Sequence, residues 1–214
     1  MTANVVSVEE AARVLAGGGP VIFPTETVLG IGVSVAACAS PAQLYRLKNR
    51  PATKPIAWLI ADLADLDRYG ENVSIAAHRL ARAFWPGSLT LIVDASPAVP
   101  HGFQSATGTI GLRMPANREA LDLVRRVGAP LATTSANPSG APAPRTLAQL
   151  DEAFATRTGT VVAPSSETDG SSSGVASTIV DCTAGQLRIV RVGGISEQQI
   201  RDVAGADGAA QAGC

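Results

Sequence analysis

With 214 residues, 46% of them hydrophobic and 16% charged, the chain is long enough to bury a sizeable core in one domain. Seventeen Lys+Arg against eighteen Asp+Glu leave a formal net charge of -1, which argues against a protein held to nucleic acid by bulk charge and leaves only a local basic groove. Cys38, Cys182 and Cys214 are odd in number and far apart, which argues against a disulfide framework or a cysteine zinc site.

The first predicted element is a helix opened by Ser7 and Glu10, running through Val14 and Leu15 to the glycines at 17–19. Pro20 to Phe23 reads as a buried strand. Ser40, Pro41 and Gln43 supply a cap, a first-position proline and a capping-box partner for a helix through Leu44, Tyr45 and Leu47 that stops before Pro51. A strand follows at Ile56 to Ile60. Ser74 begins a helix that carries Leu80 and Phe84 to Pro86 and Gly87, and strands are expected at Leu89 to Val93 and Thr109 to Met114. Asn117 caps a helix ending at Gly128, and an extended stretch runs from Pro130 to Thr134. Thr146 with Gln149 is expected to start another helix. Strands at Thr160 to Ala163, Ser177 to Asp181 and Leu187 to Val192 precede a last helix capped by Ser196 and Gln199.

This alternation predicts an α/β fold with a mixed, partly parallel sheet covered by helices. A single domain over residues 1–203 is expected, with a flexible Ala/Gly-rich tail at 204–214. Pro164 to Gly174, with five serines, reads as a solvated loop or as a lid over a site. The N-terminus lacks a basic stretch followed by a long apolar run, and no segment is apolar enough to cross a membrane, so a cytoplasmic protein is expected.

Polar residues that directly follow apolar runs are the candidates for a site in an open α/β sheet. Lys48, Arg50 and Lys54 lie within seven residues around Pro51. They suit phosphate oxygens, and equally they suit the C-terminus of a helix, whose dipole favours cations. Thr133 to Gly140 packs four hydroxyls and an amide around a turn. Those groups bind phosphate or carboxylate oxygens, or they close turns on their own backbone. His78 and His101 have no ligand-spaced neighbours, so no protein metal site is expected, and Glu26 fits either a proton-accepting or a turn role.

Taken in order, Pro24-Thr25-Glu26-Thr27, Lys48-x-Arg50-Pro51, Phe84-Trp85-Pro86-Gly87-Ser88-Leu89-Thr90, Leu112-Arg113-Met114-Pro115, Ser135-Ala136-Asn137-x-Ser139-Gly140 and Ser177-Thr178-Ile179-Val180-Asp181 resemble the threonylcarbamoyl-AMP synthase family, over about residues 7 to 203. The resemblance implies a YrdC-like mixed twisted sheet with flanking helices around a concave cleft. It also implies a nucleotidyltransferase that makes threonylcarbamoyl-AMP and pyrophosphate from L-threonine, bicarbonate and ATP, with Mg2+ carried by the ATP. The product would serve the N6-threonylcarbamoyladenosine modification of position 37 in tRNA, with tRNA or a tRNA-modifying transferase as partner. By the same resemblance Lys48 and Arg50 are the catalytic pair. Lys48, Arg50, Lys54, Ser135, Asn137 and Arg191 contact ATP, and Thr27, Arg113, Thr133 and Ser177 hold threonine.

The chain departs from the family pattern where a Tyr is replaced by Leu29, a His by Leu59, a second His by Asn117 and a Pro by Val192. Leucine supplies neither hydroxyl nor imidazole, so the nucleotide half carries more of the motif than the threonine half. Alternatives of another class are a non-catalytic RNA-binding or ribosome-maturation module and a carbamoyl-adenylate-forming paralogue.

Overall fold

The computed structural model describes residues 3–51, 54–163, 172–183 and 187–205. Among these residues, eleven strands form one mixed sheet: β1 (Asn4–Val6), β2 (Val21–Phe23), β3 (Gly30–Ser34), β4 (Ala57–Leu59), β5 (Gly70–Glu71), β6 (Leu89–Ala95), β7 (Thr109–Arg113), β8 (Leu131–Ser135), β9 (Thr160–Val162), β10 (Thr178–Asp181) and β11 (Arg188–Arg191). Their order is β1-β9-β2-β3-β8-β4-β7-β6-β10-β11, with β5 added beside β6. The pairs β1/β9, β2/β9, β4/β7 and β6/β10 are parallel and the others antiparallel, as the mixed α/β expectation required.

Among the described residues seven α-helices accompany the sheet: α1 (Val8–Ala16), α2 (Ala42–Lys48), α3 (Asp65–Tyr69), α4 (Ile75–Phe84), α5 (Arg118–Val127), α6 (Glu152–Thr158) and α7 (Glu197–Ala204). Ser7, Ser74, Asn117 and Ser196 cap α1, α4, α5 and α7 through their side chains, and Ser196 with Gln199 closes a full capping box. None of the described helices is long and apolar enough to cross a membrane.

Two helix starts differ from expectation. Pro41, not Ser40, occupies the N-cap of α2, and Ser40 contributes only a long 3.4 Å bond that its hydroxyl accepts from the Ala42 N–H. Thr146 leads only into a 3-10 turn over Leu147–Gln149, because Gln149 Oε1 accepts the Arg145 N–H at 2.9 Å instead of reaching back to Thr146. The helix proper begins six residues later, where Asp151 accepts the Phe154 N–H at 2.6 Å. The expected flexible segments fall largely outside the described residues: 164–171 of the serine-rich stretch and 206–214 of the tail.

Strand alternation divides the protein into a core side and a site side. On β3, Ile31 and Val33 join the larger core with Trp58, Leu80, Leu91, Leu112 and Phe154, so Gly30 and Gly32 face the other way. On β6 and β7 the core takes Leu89, Leu91, Val93, Ile110 and Leu112, which leaves Thr90, Gly111 and Arg113 on the opposite face. That face is covered by α1 and α5 only over part of its width, where Leu15, Phe23, Leu123 and Leu131 form a second core. The uncovered remainder, from β3 across to β10, has the small residues Gly30 and Ala57 in its floor.

Candidate active site

A cleft of about 430 Å³ lies on that uncovered face. Of the expected site residues, Arg50, Arg113, Thr133, Ser135, Asn137, Ser177 and Arg191 line it, beside Thr25, Ala57, Leu59, Thr90 and Thr134. The pairing register explains the convergence. Gly30 lies opposite Ser135, Gly32 and Ala57 opposite Thr133, Leu59 opposite Arg113, and Ile179 opposite both Thr90 and Arg191. Segments more than a hundred residues apart therefore present side chains in adjacent rows on one surface.

At one end, α2 ends with Asn49 in the left-handed region at φ 51°, which turns the chain so that Lys48 and Arg50 diverge. Arg50 enters the cleft. Its Nη2 donates to the Pro55 carbonyl at 3.1 Å, its Nη1 makes a long 3.5 Å contact with Thr134 Oγ1, and its buried Nε has no partner among the described residues. A guanidinium so weakly held has donors to offer an anion.

Lys48 does not line the cleft. It is 2% exposed, and its Nζ donates to Ser135 O at 2.5 Å, Asn137 O at 2.6 Å and Asn137 Oδ1 at 3.2 Å, exhausting its three hydrogens. Burial, and then the neighbouring Arg50 charge, bring its pKa down to about 8. The expected phosphate contact thus becomes a buried post under the Ser135–Asn137 turn. Asn137 is likewise committed: its Nδ2 donates to Pro138 O at 3.1 Å and Ala141 O at 2.6 Å. Lys54 is exposed and outside the cleft lining, its carbonyl accepting the Tyr45 hydroxyl at 3.0 Å.

At the other end, Arg113 is 8% exposed. Its Nε donates to Gly87 O at 3.2 Å, and its Nη2 to Glu26 Oε1 at 2.6 Å and Thr27 Oγ1 at 3.2 Å. Nη1 has no partner among the described residues. Thr27 is buried behind Arg113 and outside the cleft lining, joined to it through the Arg113 guanidinium and through a 2.9 Å hydroxyl bond with Thr25. Ser177 pairs its hydroxyl with Thr90 Oγ1 at 2.9 Å, and its carbonyl accepts Arg191 Nε and Nη2 at 3.0 and 2.8 Å. Desolvation and the nearby Arg113 charge hold the Arg191 guanidinium below its ordinary pKa. Thr133 turns its hydroxyl to Leu131 O at 3.0 Å.

Three guanidinium groups thus share one cleft, and the carboxylate that pairs with one of them, Glu26, is held by Arg113 at 2.6 Å and, at 3.4 Å, by the Asn117 N–H. Such an excess of fixed donors is suited to more than one anion at a time. No cluster of His, Cys, Asp or Glu fit to hold a metal ion occurs among the described residues.

A sequence profile of the Sua5/YciO/YrdC family, described as telomere recombination, matches residues 13–193. The chain belongs to this family. A threonylcarbamoyl-AMP synthase of Pyrococcus abyssi is 34% identical over 197 residues, covering 91% of this chain and 56% of its own length. The synthase of Bacillus subtilis is 33% identical over 208 residues, covering 96% and 58%. The chain therefore spans little more than half of either relative, whereas it spans 89% of a Mycobacterium tuberculosis relative that is 35% identical to it. Among solved structures, P. abyssi Sua5 complexed with L-threonine matches with TM-score 0.83 and 33% identity over 92% of this chain and 56% of that one. Escherichia coli YciO, at 23% identity, TM-score 0.76 and 90% and 92% coverage, shares the fold.

The four departures noted in the sequence fall in four different settings. Leu59 lines the cleft, Leu29 packs into the larger core, and Val192 lies exposed past β11. Asn117 is spent on the α5 cap, donated to by Ala120 N–H at 2.9 Å. Sequence reading missed the ion pair that makes Glu26 a support for Arg113. The signal available was a lone acidic residue inside an otherwise hydroxyl-rich, partly buried loop.

Proposed function

We propose that the protein is a threonylcarbamoyl-AMP synthase that uses L-threonine, bicarbonate and ATP, and supplies the tRNA position-37 modification in the cytoplasm. The observation that carries this reading is the single cleft with Arg50 and Ser135 at one end and Arg113, Ser177 and Arg191 at the other. The similarity to the P. abyssi and B. subtilis synthases supports it from outside the geometry.

In this reading the threonine carboxylate meets Arg113 Nη1, and the triphosphate meets Arg50 and the Ser135 hydroxyl. The amine of threonine condenses with bicarbonate, losing water, to give a carbamate. A carbamate oxygen then bonds to the α-phosphorus as the bond to the β-phosphate oxygen breaks, and pyrophosphate departs. The protein supplies alignment and fixed positive charge for the phosphate oxygens, and no nucleophilic side chain is needed. The cleft's donors are cations, hydroxyls and amides, a set suited to a polyphosphate and not to a bare cation, so Mg2+ would enter on the oxygens of ATP and supply charge neutralisation there.

The test is an incubation of the purified protein with ATP, Mg2+, labelled bicarbonate and L-threonine, following pyrophosphate. Release that requires both threonine and bicarbonate supports the reading. Release with carbamoyl phosphate instead, or RNA binding with no turnover, refutes it.

A further inference from the structure

The serine-rich segment ends at Ser172 to Gly174, and these residues lie directly against the Glu26–Thr27 backbone. Ser173 N–H donates to Glu26 O at 2.9 Å, Gly174 N–H to Thr27 O at 2.9 Å and the Ser172 hydroxyl to Thr27 O at 2.6 Å. Beyond them, Gly174, Ala176 and Ser177 form a wall of the cleft. The outer side of this contact is held by one exposed residue, Arg145. Its Nη2 donates to Ser172 O at 2.8 Å, and its side chain lies flat over Gly174, so that a Cβ there would meet Cδ and Nε at 2.6 Å and Cζ at 2.9 Å. Gly174 also has φ 70°, which only glycine adopts at no steric cost. Arg145 itself is anchored, because its amide donates to Gln149 and the preceding Pro144 carbonyl accepts Leu29 N–H at 2.8 Å.

We propose that Arg145 is a positioning residue for the amino-acid end of the cleft, a clamp that presses Ser172–Gly174 onto the Glu26–Thr27 backbone and so fixes the arginine that receives the substrate carboxylate. The chain of contacts is continuous. Arg145 holds Ser172 and Gly174, these hold the carbonyls of Glu26 and Thr27, and the side chains of the same two residues hold Arg113 Nη2. Among the described residues none of these side-chain contacts touches Arg50 or the Ser135 turn; the tie to that turn is backbone, with Leu29 between Pro144 O and Ala136 N–H, and Arg145→Ala leaves it in place, so the nucleotide end is expected to be unaffected. The proposal deepens the synthase reading by naming what sets affinity for the amino acid, and its kinetic part rests on that reading.

Two measurements separate the clamp from the reaction. Amide hydrogen exchange needs no substrate: in Arg145→Ala the Ser173 and Gly174 amides should exchange about tenfold faster or more, since a charge-assisted bond and its stacking contact are gone, while the β-strand amides are unchanged. In steady-state kinetics the same variant should raise KM for L-threonine about threefold to tenfold with KM for ATP unchanged, and Arg145→Lys should recover part of the loss. Gly174→Ala, which displaces the Arg145 side chain and also strains the backbone at φ 70°, should speed exchange at 173 and 174 at least as much as Arg145→Ala does. Unchanged exchange at 173 and 174 overturns the clamp whatever the enzyme does. Faster exchange with equal rises in both KM values overturns its role at the amino-acid end, and a wild-type protein that does not use threonine overturns the synthase reading while exchange still decides the clamp.

Discussion

Lys48 and Arg50 sit two residues apart and do different work. Replacing Lys48 with Met leaves the two buried Asn137 acceptors, its carbonyl and Oδ1, without a donor, while Ser135 O keeps the Asn137 N–H at 3.0 Å; each orphaned acceptor costs about 1–3 kcal/mol if nothing replaces the donor, so Lys48→Met should lower stability and turnover together. Arg50 is half-buried and loosely held, so Arg50→Ala should remove turnover with stability changed by less than about 1 kcal/mol. Thermal unfolding beside single-turnover kinetics distinguishes the two, and equal destabilisation would contradict the division. The lowered Lys48 pKa adds a pH dependence. Between about 8 and the ordinary 10.5 the unfolded chain binds this proton and the folded chain releases it, so this group's contribution to stability rises with pH across that window. Order in the turn runs the other way, because a neutral amine has two hydrogens for three acceptors. The apparent kcat/KM for ATP should therefore fall above pH about 8 while the fold does not weaken, and a flat profile to pH 9.5 would contradict the post under the turn.

At the scale of elements, the site depends on the close pairing of β3 with β8, which places Thr133 and Ser135 in the cleft. A Cβ at Gly32 would sit 3.0 Å from Thr133 Oγ1 and 3.1 Å from Phe23 Cε1, squeezed from both sides. Gly32→Ala should destabilise by about 1–3 kcal/mol in denaturant titration and raise KM for both substrates, because the β3/β8 register carries Ser135 with it. The same strand shows where sequence reading stops. Helices α1, α4, α5 and α7 were legible because capping is local: a serine or asparagine meets an amide three residues on. β3 was not, because Gly-Ile-Gly-Val-Ser has poor strand propensity and reads as the end of a turn, and only pairing with β2 and β8 makes it a strand. Thr146 with Gln149 had the spacing of a helix start, but the Arg145 amide claimed the glutamine.

For the whole molecule, the ordered motifs indicated one anion-gathering surface, and the sheet order shows how it is built: β3, β8, β4, β7, β6 and β10 are consecutive in space though scattered in sequence. Which donors face the cleft and which are consumed within the protein could not be read from residue type, since Lys48 and Asn137 carry the same chemistry whether they bind a ligand or hold a turn. A nearly neutral chain of net charge -1 that gathers three guanidinium groups in one cleft offers anions a local site, not a bulk positive surface. The most direct test is a crystal structure of the protein with a non-hydrolysable ATP analogue and L-threonine together. Both ligands should lie in this one cleft, the threonine carboxylate within hydrogen-bond distance of Arg113 Nη1 and the phosphates against Arg50 and Ser135. A nucleotide seated elsewhere, or a carboxylate that leaves Arg113 untouched, would contradict the account.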